Sequence, residues 1–235
     1  MNVLYRTNPT GMYVGWPELD QKHEALMRML PIPVVHGMTL GELARMINGE
    51  VWLAGGVKCA LTVICSDNYT HQTVYDLPVA PSPNLPNMRS VYLYSSLCFF
   101  EGTPVSIGRG TDMPFQVYGH PQMSGRSFSF TPASTAGAKN PPQKDKLCHG
   151  VDMRTPPSES TIIARGVDLS YVIEAYNDLE MGDKFFTRMF GLLTGVDYVR
   201  TMIIEGRSAE EIRAVWQPDV EDFKIKRKDY LLYEE

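Results

Sequence analysis

No stretch of this 235-residue chain approaches the roughly 20 consecutive apolar residues that a membrane-spanning helix needs. The first residues, MNVLYRTNPTG, lack the basic and then apolar pattern of an export signal. Charge of one sign is not in excess: 22 basic against 27 acidic side chains give a net charge of −5, which disfavours a nucleic-acid partner. Cysteine is scarce. Cys59, Cys65, Cys98 and Cys148 fit no CxxC or zinc spacing and sit among apolar neighbours. Buried free thiols are the expectation, with one disulfide left open. The phosphate-loop signature GxxxxGK[ST], the dinucleotide signature GxGxxG, the serine-hydrolase elbow GxSxG and the metalloprotease motif HExxH are all missing. No cofactor and no metal are therefore expected.

What the chain does have is enough apolar surface, 43% of residues, for a packed core. Its length suits one large domain or two modest ones. Asn2 to Tyr5 reads as a short buried strand. Thr39 and Glu42 form a capping box, in which hydroxyl and carboxylate satisfy free donors at a helix start. Leu43, Met46 and Ile47 give that helix one apolar face, and Asn48-Gly49 stops it. Ala60 to Cys65 reads as a second buried strand. Strand, loop, helix, strand is a piece of a parallel α/β unit.

A boundary is placed near Val79, after a loop-rich stretch. Beyond it, Asn87 is read as the cap of a short helix, and Cys98 to Glu101 as a strand delivering Glu101 into the EGTP loop. Further strands are expected at Phe115 to Tyr118, Ser127 to Thr131 and Cys148 to Arg154. From Ile162 the pattern turns helical: an amphipathic segment over Leu169 to Leu179, a helix over Tyr198 to Glu205, and a third opened by a capping box at Ser208 and Glu211 and running through Trp216. Met27, Met29, Phe185, Phe186 and Phe190 are read as core. The fold class is α/β: a parallel-sheet portion over residues 1–78, followed by an α+β domain over 79–235.

The chemistry-bearing side chains cluster on loops pre-set by proline and glycine, above all between Pro81 and Pro121. Glu101 follows the apolar run LCFF. Such a carboxyl suits a general acid, or it binds nearby loop amides instead. Arg109 lies between two glycines in GRGTD. Its planar fork suits a carboxylate or sugar oxygen; the alternative is an internal salt bridge to Asp112 or Glu101. His36 precedes a helix start by a few residues, which favours neutral imidazole near a strand end. Asn8, in an Asn-Pro turn, either aims its amide into a cleft or serves the turn alone.

The segments NPTG, PIPVVHGMTLGELARMIN, LPVAPSPNLPN, CFFEGTPVSIGRGTDMPFQVYGHP and SAEEIRAVWQPDVEDFKIKRKDYLLY, in that order along the chain, resemble the NamZ family of bacterial exo-β-N-acetylmuramidases. The resemblance implies a Rossmann-like N-terminal domain followed by a smaller C-terminal domain. It implies cleavage of terminal N-acetylmuramic acid from peptidoglycan fragments, by two groups flanking the scissile bond. His36 and Glu101 are then the catalytic candidates. Arg109, Asn8, Asp112, Ser82 and Asn84 are the substrate-binding candidates, with Arg109 facing the lactyl carboxylate. The sequence departs from the family at LYRTNP, between Asp20 and Pro31, and at YSS. It also lacks the EHG-type segment near which the family carries an acidic residue. Residues 1–78 are accordingly expected to be the end of a first domain. A separately encoded N-terminal domain is an expected partner, beside a muropeptide or amino sugar. Periplasmic or extracellular placement follows from that substrate. The alternative function is a non-catalytic muropeptide- or amino-sugar-binding module.

Overall fold

A computed structural model of the chain describes residues 1–4, 7–11, 13–25, 29–73 and 75–234. Tyr5 and Met27, read above as strand and core, lie outside the described residues. The chain forms two compact units. The first comprises Met1–Glu18, Leu30–Asp76 and Trp216–Glu235; the second comprises Leu19–Met29 and Leu77–Val215. Compactness does not follow chain order, since 19–29 belongs with the second unit and the C-terminal tail with the first.

In the first unit, β1 (Asn2–Leu4) pairs in parallel with β2 (Thr62–Ile64), with Asn2 opposite Thr62 and Leu4 opposite Ile64. The helix α1 (Leu40–Gly49) lies between them in sequence, as the strand-helix-strand pattern requires. Both strands were expected to be buried, and they are not: Leu4 is 71% and Ile64 52% exposed. A three-residue apolar run reads alike whether one face or both faces are covered; here only the side of Val3 and Val63 packs inward, with Val63 against Gly41 of α1. The core of this unit gathers Trp16, Met46, Val220 and Phe223, with the Trp16 and Trp216 rings 4.8 Å apart.

The predicted capping box is present and has a second task. Glu42 is fully buried. One of its oxygens accepts from Thr39 N and Oγ1 at 2.7 and 2.9 Å, the other from Leu232 N at 2.8 Å and His71 Nε2 at 2.9 Å. Burial pushes its pKa up, but these donors outweigh burial and hold it below the ordinary value. The carboxylate that starts α1 thus also anchors the C-terminal tail, and His71 N donates to Glu234 O at 3.0 Å beside it.

In the second unit, Asn87 caps α2 (Met88–Leu97), which buries Leu93 and Leu97. The run Cys98 to Glu101 is not a strand. It continues α2 as a 3-10 turn over Cys98–Gly102, with Phe99 and Phe100 buried. Four apolar residues carry no period, so helix and strand look the same there. The antiparallel sheet has β5 (Cys148–Asp152) between β3 (Val117–His120) and β4 (Phe128–Phe130), near the expected positions. Val117, Phe130 and Cys148 pack together beneath it.

The helical second half holds α3 (Glu159–Arg165), α4 (Ser170–Leu179), α5 (Arg188–Thr194) and α6 (Tyr198–Ile204). Phe185, Phe186 and Phe190 are buried as expected, whereas Met29 is 59% exposed. The last helix, α7 (Ala209–Arg227), opens on the predicted box: Ser208 N donates to Glu211 at 2.8 Å, and Glu211 N to Ser208 Oγ at 3.1 Å. It runs past Trp216 and through Pro218, because burial of Val220 and Phe223 outweighs the roughly 3 kcal/mol that an interior proline costs. All four cysteines are free; Cys98 and Cys148 are buried, but Cys59 is half-buried and Cys65 exposed.

Candidate active site

Glu101 and Arg109 meet in the second unit. Arg109 Nη1 donates to Glu101 Oε1 at 2.7 Å, and each side chain is about one-third exposed, 34% for the arginine and 30% for the glutamate. Of the readings open for Arg109, the ion pair with Glu101 is the one the structure contains. Glu101 is correspondingly not an isolated carboxyl in apolar surroundings. A carboxylate touching a guanidinium suits the activation of water or the stabilisation of positive charge better than the delivery of a proton.

The backbone explains why these two side chains converge. Glu101 lies in the 3-10 turn that follows α2, beside Gly102, whose carbonyl accepts from Thr187 N and Oγ1 at 2.9 and 3.0 Å. Arg109 is held by a loop with φ of +75° at Gly108 and +85° at Gly110. A β-carbon at Gly110 would stand 2.4 Å from Ala133 O, and one at Gly108 2.5 Å from Met113 O. Only glycine fits, so the GRG spelling is a packing requirement that fixes where the guanidinium starts. Arg109 Nε is buried with no hydrogen-bond partner among the described residues. Phe115, also at positive φ, is a non-glycine residue held in the left-handed region on the same loop system.

One neighbour was not anticipated. Tyr94 lies on α2 seven residues before Glu101, packs at a tilt against Phe115 with ring centres 5.0 Å apart, and is 41% exposed. Burial, then Cys98 and the Glu101 charge, push its pKa up to about 12 against an opposing pull from Arg109. An exposed ring beside a carboxylate and a guanidinium offers an apolar face to a sugar while the charges meet its oxygens. The seven-residue spacing, about two helical turns, was the available signal.

The other expected site residues are engaged elsewhere. Ser82 Oγ accepts from Asn84 N at 3.2 Å within its own turn, and Asn84 Nδ2 donates to Gly137 O at 3.0 Å, pinning one loop to another within the second unit. Asp112 is exposed on the same loop as Arg109 and acts on Arg154 only through its charge. Asn8 and His36 belong to the first unit. The Asn8 side chain is spent on its turn, donating to Gly11 O and Met38 O and accepting from Thr10 N and Oγ1. His36 Nδ1 accepts from Met38 N at 3.2 Å. Burial and the Arg227 guanidinium push its pKa down to about 4 against an opposing pull from Glu42, so the ring is neutral as expected. Arg227 itself donates to the carbonyls of His36 and Gly37. Among the described residues, no group of three or more His, Cys, Asp or Glu is placed to hold a metal ion.

Comparison with known proteins covers both parts of the chain. Residues 1–89 match the family described as exo-beta-N-acetylmuramidase NamZ, N-terminal, and residues 92–233 match exo-beta-N-acetylmuramidase NamZ, C-terminal. The chain is 32% identical over 256 residues to the peptidoglycan beta-N-acetylmuramidase NamZ of Bacillus subtilis (strain 168), covering 98% of this chain and 59% of that protein. It therefore spans less than two thirds of the length of that curated relative. A solved structure of a DUF1343 family protein from Bacteroides fragilis NCTC 9343 superposes with a TM-score of 0.97 at 58% identity, over 100% of this chain and 67% of the other. A second DUF1343 family structure from the same organism, at 23% identity, gives a TM-score of 0.78 over 99% of this chain and 66% of the other, a likeness of fold.

Proposed function

Because the chain belongs to the NamZ family of exo-beta-N-acetylmuramidases, we propose that it acts on peptidoglycan fragments as a glycosidase directed at terminal β-linked N-acetylmuramic acid. The observation that carries this reading is the Glu101–Arg109 pair, set by glycine-constrained loops beside an exposed tyrosine. Hydrolysis breaks the bond between the anomeric carbon and the leaving oxygen. Overall, water gives its hydroxyl to the anomeric carbon and its proton to the leaving oxygen, and the positive charge that builds on that carbon needs stabilisation. Glu101 is assigned to that stabilisation. Arg109 fixes the carboxylate through one terminal nitrogen and keeps the other for an oxygen of the substrate. Tyr94 supplies the surface on which the sugar ring rests. A peptidoglycan substrate supports a periplasmic or extracellular location.

The same pair supports a second reading. An ion pair already satisfied within the chain suits a module that binds muropeptides or amino sugars without cleaving them. A chromogenic β-N-acetylmuraminide separates the two readings, assayed with the chain alone and together with any polypeptide encoded beside it that supplies an N-terminal domain. Release of the chromophore supports hydrolysis. Saturable binding of the sugar without release supports the binding module, and the absence of both binding and release removes both readings.

A further inference from the structure

A cleft of about 300 Å³ in the second unit is lined by Lys22, His23, Thr187, Arg188, Asp197 and Arg200. An adjoining cleft of about 450 Å³ shares Asp197 and Arg200. The first starts next to the candidate site, because Thr187 is the residue whose N and Oγ1 bind Gly102 O, one position after Glu101. Most charges in it are already matched. Asp197 accepts from Lys22 Nζ at 2.7 Å and from His23 Nε2 at 2.8 Å, and Arg200 donates to Asp183 at 3.1 Å. Arg188 is different. It is exposed and makes no ion pair or side-chain hydrogen bond among the described residues.

Arg188 has apolar neighbours in the cleft. Leu192 and Val196 line the cleft as apolar wall. Gly191 lines it too, close to the His23 ring. A lactyl ether carries both required features, a carboxylate for a guanidinium fork and a methyl group for an apolar wall. Arg109, by contrast, has one nitrogen committed to Glu101 and another buried.

We propose that this cleft is the carboxylate-recognition site of the second unit, with Arg188 taking the lactyl carboxylate of an N-acetylmuramic acid residue. Lys22, His23 and Asp197, paired with one another, line the same cleft. The inference rests on the function proposed above, and its test separates the two. N-acetylmuramic acid and N-acetylglucosamine differ only in the lactyl group. Calorimetric titration of the full chain is expected to favour the former. Arg188→Ala weakens N-acetylmuramic acid binding about 10- to 100-fold and leaves N-acetylglucosamine unchanged. Arg188→Lys keeps part of the preference, because the charge remains and the fork is lost. Circular dichroism and the unchanged N-acetylglucosamine affinity establish that the variant is folded. If Arg188→Ala keeps the full preference, or if Arg109→Gln rather than Arg188→Ala abolishes it, the cleft assignment is overturned and the function stands. If the unsubstituted chain shows no preference for the lactyl group, both fall.

Discussion

Replacing Glu42 by glutamine keeps the shape of the side chain and removes one acceptor oxygen. The structure makes the consequence calculable, because each oxygen of Glu42 accepts two hydrogen bonds and each set includes a backbone N–H that has nowhere else to turn. If the amide nitrogen faces the tail, Leu232 N–H is left pointing at a donor. If it faces the helix start, Thr39 N–H is. Either way one buried donor is orphaned, at about 1–3 kcal/mol, and the remaining bonds lose their charge assistance, for a total of about 2–4 kcal/mol. Urea unfolding followed by tryptophan fluorescence reads this directly, since Trp16, Trp52 and Trp216 all belong to the first unit. The pH dependence carries a second signature. A carboxyl whose folded pKa is lowered contributes stability in full above its unfolded value of about 4.5, and that contribution fades as pH falls through the folded value. Glu42→Gln must therefore flatten the acid limb below about pH 4.5 while lowering stability at pH 7. A variant within about 0.5 kcal/mol of the parent at pH 7, a change typical of an ordinary surface substitution, would refute the reasoning.

His36 behaves in the opposite range. Its folded pKa of about 4 lies below the unfolded value of 6.5, so only the unfolded chain gains a proton between those values. Stability is then complete above about pH 6.5 and declines toward pH 4 by about 3 kcal/mol, and His36→Gln removes that slope in pH-dependent unfolding. Gly110→Ala forces a β-carbon to 2.4 Å from Ala133 O at a φ of +85°. It is expected to lower the melting temperature and to weaken binding of N-acetylmuramic acid by displacing Arg109; calorimetry with unchanged binding would show that the loop does not position the guanidinium.

Local chemistry was legible in the sequence wherever a few neighbouring residues decide it. The boxes at Thr39 and Ser208 and the cap at Asn87 are complete within four residues, and the structure contains all three. Segments whose state depends on distant packing were not. LCFF has no period, so its helical end could not be told from a strand, and the exposed faces of β1 and β2 depend on what lies opposite them. The site divides the same way. Glu101 and Arg109 stand eight positions apart, and their pairing was among the readings the spacing allowed. Glu42 with His71 and Leu232, and His23 with Asp197, join residues 29, 190 and 174 positions apart, and nothing local records such contacts. Arg188 drew no attention because its chain neighbours give no motif; its interest comes from the cleft around it.

The most direct measurement compares the chain with its Glu101→Gln variant, scoring N-acetylmuramic acid released from a β-linked muramic acid disaccharide. The amide keeps a contact to Arg109 but cannot stabilise charge at the anomeric carbon. The account predicts release by the parent and a rate lower by about 10²- to 10⁴-fold in the variant, with sugar binding retained. Equal rates in the two proteins would contradict it.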